Sequence, residues 1–199
     1  MKILITNVGS TSLKFKLFLM EEGKEEILLQ GGMERIGQQG EGVYKWRSAS
    51  GKKFEGTKVL ANYSEAIALL LEILAENGMK DLTTLAGIGF KVVHAKDVTG
   101  CVVLDENVLK AMEAFNTIAG AHNPPYILAI RTFAQIVPQV PLVGLFETAF
   151  HVNIPEHAYT YGLPYDLAKK HGIRRYGFHG ASHRYVSERM LAQIPQRPL

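Results

Sequence analysis

The amino-terminal part of the sequence contains three strand-like runs that are joined by very short connections. Residues 2–8 form an apolar run, 12–20 alternate apolar and polar side chains, and 26–33 form a third run. Parallel strands need a crossover of a dozen or more residues, which these connections are too short to provide. The chain is therefore predicted to begin with an antiparallel meander rather than with a helical bundle.

Helical and strand-like segments alternate after the meander. Helices are predicted at 63–76, after Asp105, after Pro124 and from 181 to 194, and buried strands at 88–94 and 141–146. A peripheral hairpin is predicted at about 42–58. The order predicts an α/β fold with a mixed sheet flanked by helices. We expect one domain over 1–194 and the start of a linker at 195–199.

Composition narrows the class of partner and the compartment. The formal net charge is only +3 and the basic residues are scattered, so neither a nucleic acid nor a membrane partner is indicated. The single cysteine, Cys101, cannot form an internal disulfide and is expected to be a buried or half-buried thiol in a reducing compartment. There is no apolar run long enough to cross a membrane, and the expected location is the cytoplasm.

The turn after the first strand is a candidate phosphate site. Asn7, Gly9, Ser10, Ser12 and Lys14 lie within eight residues. Exposed backbone N–H groups, hydroxyls and an ammonium group are what a phosphate cradle needs. A polar β-turn with no ligand would use the same residue types, so both interpretations stay open. The spacing differs from that of a P-loop.

A second candidate is the glycine-bracketed histidine at 177–180, directly before the last predicted helix. A helix N-terminus attracts anions, and His179 there could stabilise negative charge in transit. A structural histidine is the alternative. His183, one turn later, is expected to be a surface or supporting residue.

Three further polar residues follow buried strands or begin a helix. Glu147 ends the strand at 141–146, where it could orient a hydrated Mg²⁺. Lys91 places a cation on an apolar strand, and His122 precedes a helix start. An ordinary strand terminus, a lysine that reaches solvent and a structural imidazole are the alternatives.

Together these segments resemble the acetokinase family of acetate, propionate and butyrate kinases. The matching motifs follow one another in register over essentially the whole chain. They are the Asn-x-Gly-Ser-Thr-Ser-x-Lys turn at 7–14, His122-Asn123-Pro124, Thr148-Ala149-Phe150-His151, Leu163-Pro164-Tyr165 and Arg174-Arg175-Tyr176-Gly177-Phe178-His179-Gly180.

The resemblance implies an actin-like, ribonuclease-H-like domain that forms half of a two-domain kinase. It implies ATP and Mg²⁺ as cofactors, a small carboxylic acid as substrate and a parent protein that often dimerises. The absent second half would supply the adenosine-binding segment and further catalytic groups. The 199 residues are therefore not expected to catalyse efficiently alone.

The resemblance also implies roles for individual residues, which fall into four groups. The groups are Asn7 for Mg²⁺; Ser10, Ser12 and Lys14 for phosphate; His179 with His122 and Glu147 for catalysis; and Lys91, Val93, Ala121 and Phe178 for the acid. Such a set would act by positioning and by neutralising charge.

The chain departs from the family pattern at several of these positions. Lys91 stands where the family has an arginine, and Glu147 stands where it has an aspartate. Lysine keeps the charge but loses the two-pronged donor geometry that suits a carboxylate. Ala121 replaces a common leucine and would enlarge the acyl pocket, and the usual His-Gly-Gly is altered at 94–96.

Three interpretations follow, in order of preference. The first is the amino-terminal domain of an active short-chain carboxylate kinase. The second is a diverged, non-catalytic binding or scaffold domain, which the changes at Lys91 and Glu147 would suit. The third is a sugar or glycerol kinase of the same broad fold, which would account for the first turn but not for the segment at 178–180.

Overall fold

The computed structural model describes residues 1–95, 97–117, 120 and 122–194. Eight strands form one mixed sheet in the order β5-β4-β3-β2-β1-β6-β8-β7. The strands are β1 (Lys2–Val8), β2 (Ser12–Glu21), β3 (Lys24–Glu34), β4 (Gly42–Ser48), β5 (Lys53–Lys58), β6 (Leu85–Val92), β7 (Cys101–Val103) and β8 (Leu142–Phe146). The first five strands are antiparallel, whereas β1, β6 and β8 run parallel.

Six helices accompany the sheet within the described ranges. They are α1 (Tyr63–Glu76), α2 (Glu106–Glu113), α3 (Asn123–Ile136), α4 (Glu156–Tyr159), α5 (Tyr165–His171) and α6 (Gly180–Gln193). Asp105 caps α2 as expected, because its side chain accepts a hydrogen bond from the Val108 amide at 2.9 Å. The α/β prediction with a mixed sheet flanked by helices is thus confirmed.

The hydrophobic core lies between one face of the sheet and helices α1, α2 and α3. Inward residues alternate along β1 and β2, and α1 contributes a continuous apolar stripe. Phe90 of β6 and Phe133 of α3 meet edge to face, with ring centroids 5.8 Å apart. Each large side chain buried in this way stabilises the fold by about 1.5–3 kcal/mol. The opposite face of the meander is an open groove of about 1020 Å³, which Lys14 and Lys16 help to line.

Three short elements were not predicted from the sequence. The edge strand β7 has only three residues, and α4 and α5 are a few residues each. Short segments carry too few residues to establish a periodicity.

The prediction for Cys101 was wrong: it lies on β7, and its side chain is exposed. An edge strand leaves one flank uncovered, so a thiol there need not be buried.

The topology brings three strand ends to one edge of the sheet. Strands β1, β6 and β8 are parallel neighbours, so their carboxyl ends at Val8, Val92 and Phe146 point the same way. The chain segments that follow these ends carry most of the polar residues singled out above.

Among the described residues, no helix is long and apolar enough to span a membrane. The linker predicted at 195–199 lies outside the described residues.

Candidate active site at the carboxyl ends of three parallel strands

The turn between β1 and β2 is held tightly by backbone contacts. The Gly9 amide donates to the Ser12 carbonyl at 2.7 Å, and the Tyr63 hydroxyl donates to the Gly9 carbonyl. A Cβ at position 9 would lie 2.5 Å from the Ser12 hydroxyl oxygen, so a larger residue there would force the Ser12 side chain to move. Ser10 and Lys14 remain exposed and Ser12 is half-buried. The turn therefore presents two hydroxyls and one ammonium group from a rigid backbone.

Asn7, at the end of β1, is connected to helix α3 through a tyrosine that the sequence analysis did not single out. The buried Tyr126 hydroxyl donates to Asn7 Oδ1 at 2.7 Å. Burial raises the pKa of Tyr126 well above its ordinary value, and the negative charge of Glu147 raises it further. Tyr126 thus stays a neutral donor between the ends of β1 and β8. Its only signal in the sequence was a hydroxyl within an apolar helical stripe.

Two of the positions that depart from the family pattern, Lys91 and Glu147, contact each other. Lys91 Nζ lies 3.2 Å from Glu147 Oε1, and the Glu147 side chain is only 5% exposed. The Glu147 amide donates to the Val92 carbonyl at 2.9 Å, which fixes the end of β8 against the end of β6. Glu147 Oε1 nevertheless accepts no well-directed hydrogen bond. The carboxylate is therefore buried beside one cation with hydrogen-bonding capacity to spare.

His94 lies within a cluster of aromatic rings beyond the end of β6. Its ring centroid is 4.4 Å from that of Phe115, 4.4 Å from that of Tyr176 and 5.8 Å from that of Phe178. The histidine is buried, and burial lowers its pKa although the charge of Asp97 opposes the shift. The neighbouring Val93 is half-buried and Phe178 is exposed. These rings and Val93 provide an apolar wall beside the strand ends.

Acidification is expected to destabilise the fold through His94. The ordinary imidazole pKa is 6.5, and the folded-state value is lower, so the unfolded chain binds the proton first as the pH falls. The contribution of this group is complete above pH 6.5 and is lost as the pH falls toward the folded-state pKa. In urea denaturation from about pH 7.5 to about pH 5, the free energy of unfolding should decline less for His94→Phe than for the unmodified chain. An unchanged slope in His94→Phe, with His157→Phe as the exposed control, would contradict this assignment.

At the start of α3, His122 and Asn123 lie in different surroundings. His122 is exposed at the start of α3 and makes no capping bond with its side chain. Asn123 is fully buried, and its amide nitrogen donates to the carbonyls of His94 at 2.9 Å and Met112 at 2.8 Å. Asn123 therefore fixes the loop that carries His94 against α2. Ala121, predicted to line the acyl pocket, lies outside the described residues.

The start of α6 is attached to the end of β8. The Gly180 amide donates to the Glu147 carbonyl at 2.9 Å, and a Cβ at position 180 would lie 2.5 Å from that oxygen. His179, just before the helix, has the left-handed backbone conformation with φ of 65°. Its side chain is exposed. The backbone thus places His179 one residue before the contact with Glu147 at the end of β8, although helix α6 begins one residue earlier than predicted.

The structure accordingly gathers most of the predicted residues at one edge of the sheet. Asn7 and Lys14 face each other across β1 and β2, Lys91 pairs with Glu147, and Glu147 joins the helix start that follows His179. Tyr126 and Asn123 support this edge. Tyr126 was missed, because it sits in a helix without a distinctive local pattern, and Asn123 was part of the His122-Asn123-Pro124 motif but its supporting role was not predicted. Their partners are 119 and 29 residues away in the chain.

The sequence is similar to known proteins over nearly its whole length. The sequence profile of the Acetokinase family matches residues 2–198. Acetate kinase of Thermosipho melanesiensis is 41% identical over 95% of this chain and 47% of its own. Acetate kinase of Natranaerobius thermophilus is 40% identical over 100% of this chain and 50% of its own. The chain thus spans about half the length of these relatives.

Solved structures give the same result at the level of the fold. Porphyromonas gingivalis acetate kinase superimposes with a TM-score of 0.85 at 34% identity, covering 98% of this chain and 49% of its own. A propionate kinase from Francisella tularensis gives a TM-score of 0.85 at 34% identity, covering 98% of this chain and 50% of its own. The likeness confirms the predicted actin-like class of α/β domain. With the ordered motifs and the family profile, it leads to one conclusion: the chain belongs to the acetokinase family.

Proposed function

We propose that this chain forms the amino-terminal half of a cytoplasmic kinase that transfers phosphate between ATP and a short-chain carboxylic acid. The observation that carries the proposal is the placement of hydroxyl-bearing and charged groups at the carboxyl ends of β1, β6 and β8. The turn at 9–12, the Lys91–Glu147 pair and the start of α6 meet at that edge. Parallel α/β sheets bind ligands at this edge.

In the proposed reaction each group has a role that fits its surroundings. Ser10, Ser12 and Lys14 hold phosphate oxygens, since they lie on or directly after a rigid turn, with Ser10 and Lys14 exposed and Ser12 half-buried. His179, next to a helix N-terminus, stabilises the charge of the transferring group, and His122 assists it. Phosphoryl transfer depends mainly on positioning and charge neutralisation, which suits this set better than one strong base would.

The carboxylic acid substrate is proposed to bind between the ammonium group of Lys91 and the apolar surface of Val93 and Phe178. Lys91 attracts the substrate carboxylate, and Val93 with Phe178 borders the acyl tail. The Lys91 side chain is 40% exposed, so its ammonium group can turn from Glu147 toward a ligand. Acetate, propionate and butyrate are all candidates, and Ala121 is the position proposed to set the depth of the pocket.

The polar groups at this edge also suit Mg²⁺. Glu147 has an unsatisfied carboxylate oxygen and Asn7 offers an amide oxygen, and Tyr126 connects their surroundings. In the described ranges no three His, Cys, Asp or Glu side chains form a metal cluster. The two oxygen donors of Glu147 and Asn7 fit Mg²⁺, which commonly keeps several water ligands and binds through one or two protein oxygens plus phosphate. When bound, the ion would neutralise phosphate charge.

One observation favours the alternative of a non-catalytic binding domain. The ammonium group of Lys91 is shared with Glu147 rather than held for a ligand alone. A parent kinase would also be expected to dimerise, largely through the half that this chain does not span. Activity measurements distinguish the binding domain from the kinase, and a measurement of molecular mass in solution tests the dimer.

The test is a hydroxylamine trap for acyl phosphate with Mg-ATP and each of the three acids. We expect hydroxamate from the longest polypeptide that the gene encodes and little from the 199 residues alone. In parallel, Lys14→Met should weaken the binding of Mg-ATP to this chain, whereas Lys16→Met should not. Lys16 is the matched control, because it lies on the same face of β2 but two residues further from the turn. No hydroxamate from either folded protein would leave the binding-domain alternative.

A further inference from the structure

Two histidines outside the proposed reaction contact each other where α6 meets the end of β8. His151 Nε2 lies 2.8 Å from His183 Nδ1, and the rings are inclined by 72° with centroids 5.0 Å apart. His151 ends the short turn Ala149–His151 that follows Glu147, and His183 lies in the first turn of α6. One ring must donate and the other accept for this bond to form.

The surroundings hold His151 firmly. A Cβ at position 177 would lie 2.7 Å from two carbons of its ring, so the ring packs directly on the Gly177 backbone. The ring of Phe150 flanks it at a centroid distance of 5.0 Å. The imidazole of His151 is therefore held in place by its neighbours, and its hydrogen bond to His183 can hold the first turn of α6.

His179 lies between these contacts in an unfavourable backbone conformation. It is one of two non-glycine residues with positive φ in the part of the chain that the structure describes. Such a conformation persists only where neighbouring contacts impose it. The His183 amide donates to the His179 carbonyl at 3.0 Å, so the ring that bonds His151 and the carbonyl of His179 belong to the same helical turn.

We propose that His151 and His183 are positioning residues: their hydrogen bond holds the first turn of α6 against the end of β8 and so sets the place of His179. The functional meaning of this bond rests on the proposed role of His179, but the bond and its effect on local structure do not. A metal bridge is not needed to hold the two rings together. Within the described residues no third ligand completes a metal cluster.

The geometry offers a matched pair of rescue substitutions. Nδ1 is bonded to Cγ, as are the terminal atoms of asparagine, whereas Nε2 lies one bond further, as do those of glutamine. His183→Asn and His151→Gln should therefore keep a hydrogen-bonding group in place. The exchanged variants, His183→Gln and His151→Asn, should lose it although they use the same two amide side chains. His157→Gln, an exposed histidine on α4, is the control.

Hydrogen exchange in this chain measures how each substitution affects the start of α6, and it needs no catalytic assay. In His183→Gln and in His151→Asn, we expect the backbone amide hydrogens of residues 180 and 183 to exchange with solvent about fivefold faster. Fivefold is the factor that the loss of one hydrogen bond provides. The rescue variants and His157→Gln should stay within about twofold of the unmodified chain. The imidazole resonances of His179 should shift in the exchanged variants only. Equal behaviour of all variants would overturn the proposal.

A second measurement covers the case in which an exchanged variant fails to fold. In the unmodified chain, imidazole ¹⁵N spectra should show one of the two facing nitrogens protonated and the other not. Two protonated or two unprotonated nitrogens would refute the bond. If the bond and its effect on exchange are found but no acyl phosphate forms, the proposed function fails and the positioning of His179 stands.

Discussion

Replacing Lys91 with methionine is expected to lower the free energy of unfolding by about 2 kcal/mol. The Glu147 side chain is 5% exposed and lies 3.2 Å from the Lys91 ammonium group. Removing the cation leaves a buried carboxylate without its partner, which costs about 3–5 kcal/mol in a fully buried pair. The expected cost is smaller here because Lys91 is 40% exposed and solvent screens the interaction.

A double-mutant cycle measured by urea denaturation tests this expectation. Glu147→Gln should cost less than Lys91→Met, since the remaining lysine can reach solvent. The double variant should lie close to Glu147→Gln, so the coupling energy should approach the full cost of Lys91→Met, about 2 kcal/mol. Lys16→Met, on an exposed strand face, is the control for the loss of a lysine. Additive single effects would contradict the proposed pairing.

The same contact changes how the departures from the family pattern should be interpreted. Lysine for arginine and glutamate for aspartate looked like two separate changes in the sequence. Because Lys91 and Glu147 touch, they form one unit in which a differently shaped cation faces a longer acid. Reverting one residue alone would leave a mismatched pair, so a reversion experiment must change both.

Gly180→Ala is expected to destabilise the chain by about 2 kcal/mol and to displace the start of α6. The new Cβ would lie 2.5 Å from the Glu147 carbonyl oxygen and 3.0 Å from Phe150 Cβ. The first of these atoms is backbone and cannot rotate away, so the helix must shift. Alanine is otherwise favoured over glycine in a helix by about 0.8–1 kcal/mol. The sign of the effect therefore separates the close contact from helix propensity.

Two other glycines provide matched controls for this measurement. A Cβ at Gly162 would meet nothing within 4 Å and its φ is unremarkable, so Gly162→Ala should change stability by less than about 0.5 kcal/mol. Gly172 also has open space but a φ of 62°, so Gly172→Ala should cost about 1 kcal/mol from backbone strain alone. A stabilising Gly180→Ala would show that α6 does not depend on its contact with the end of β8.

Local patterns in the sequence were sufficient for the main elements of the fold. Alternation predicted β1 and β2, helical spacing predicted α1, and Asp105 and Pro124 marked the beginnings of α2 and α3. Each of these signals depends on residues within a few positions of one another. The ordered motifs were specific enough to indicate the family. Elements of three to seven residues, such as β7 and α5, were missed for want of a repeating pattern.

The sequence by itself thus determined the order of strands and helices, the fold class and a set of residues suited to phosphate chemistry. Only the tertiary structure decided which of them meet: Lys91 with Glu147, Tyr126 with Asn7, and His151 with His183. Local backbone preference acts over one or two turns or a few strand residues. These pairs depend instead on the register of neighbouring parallel strands and on the path of the crossovers between them, which bring together residues that are 32 to 119 positions apart.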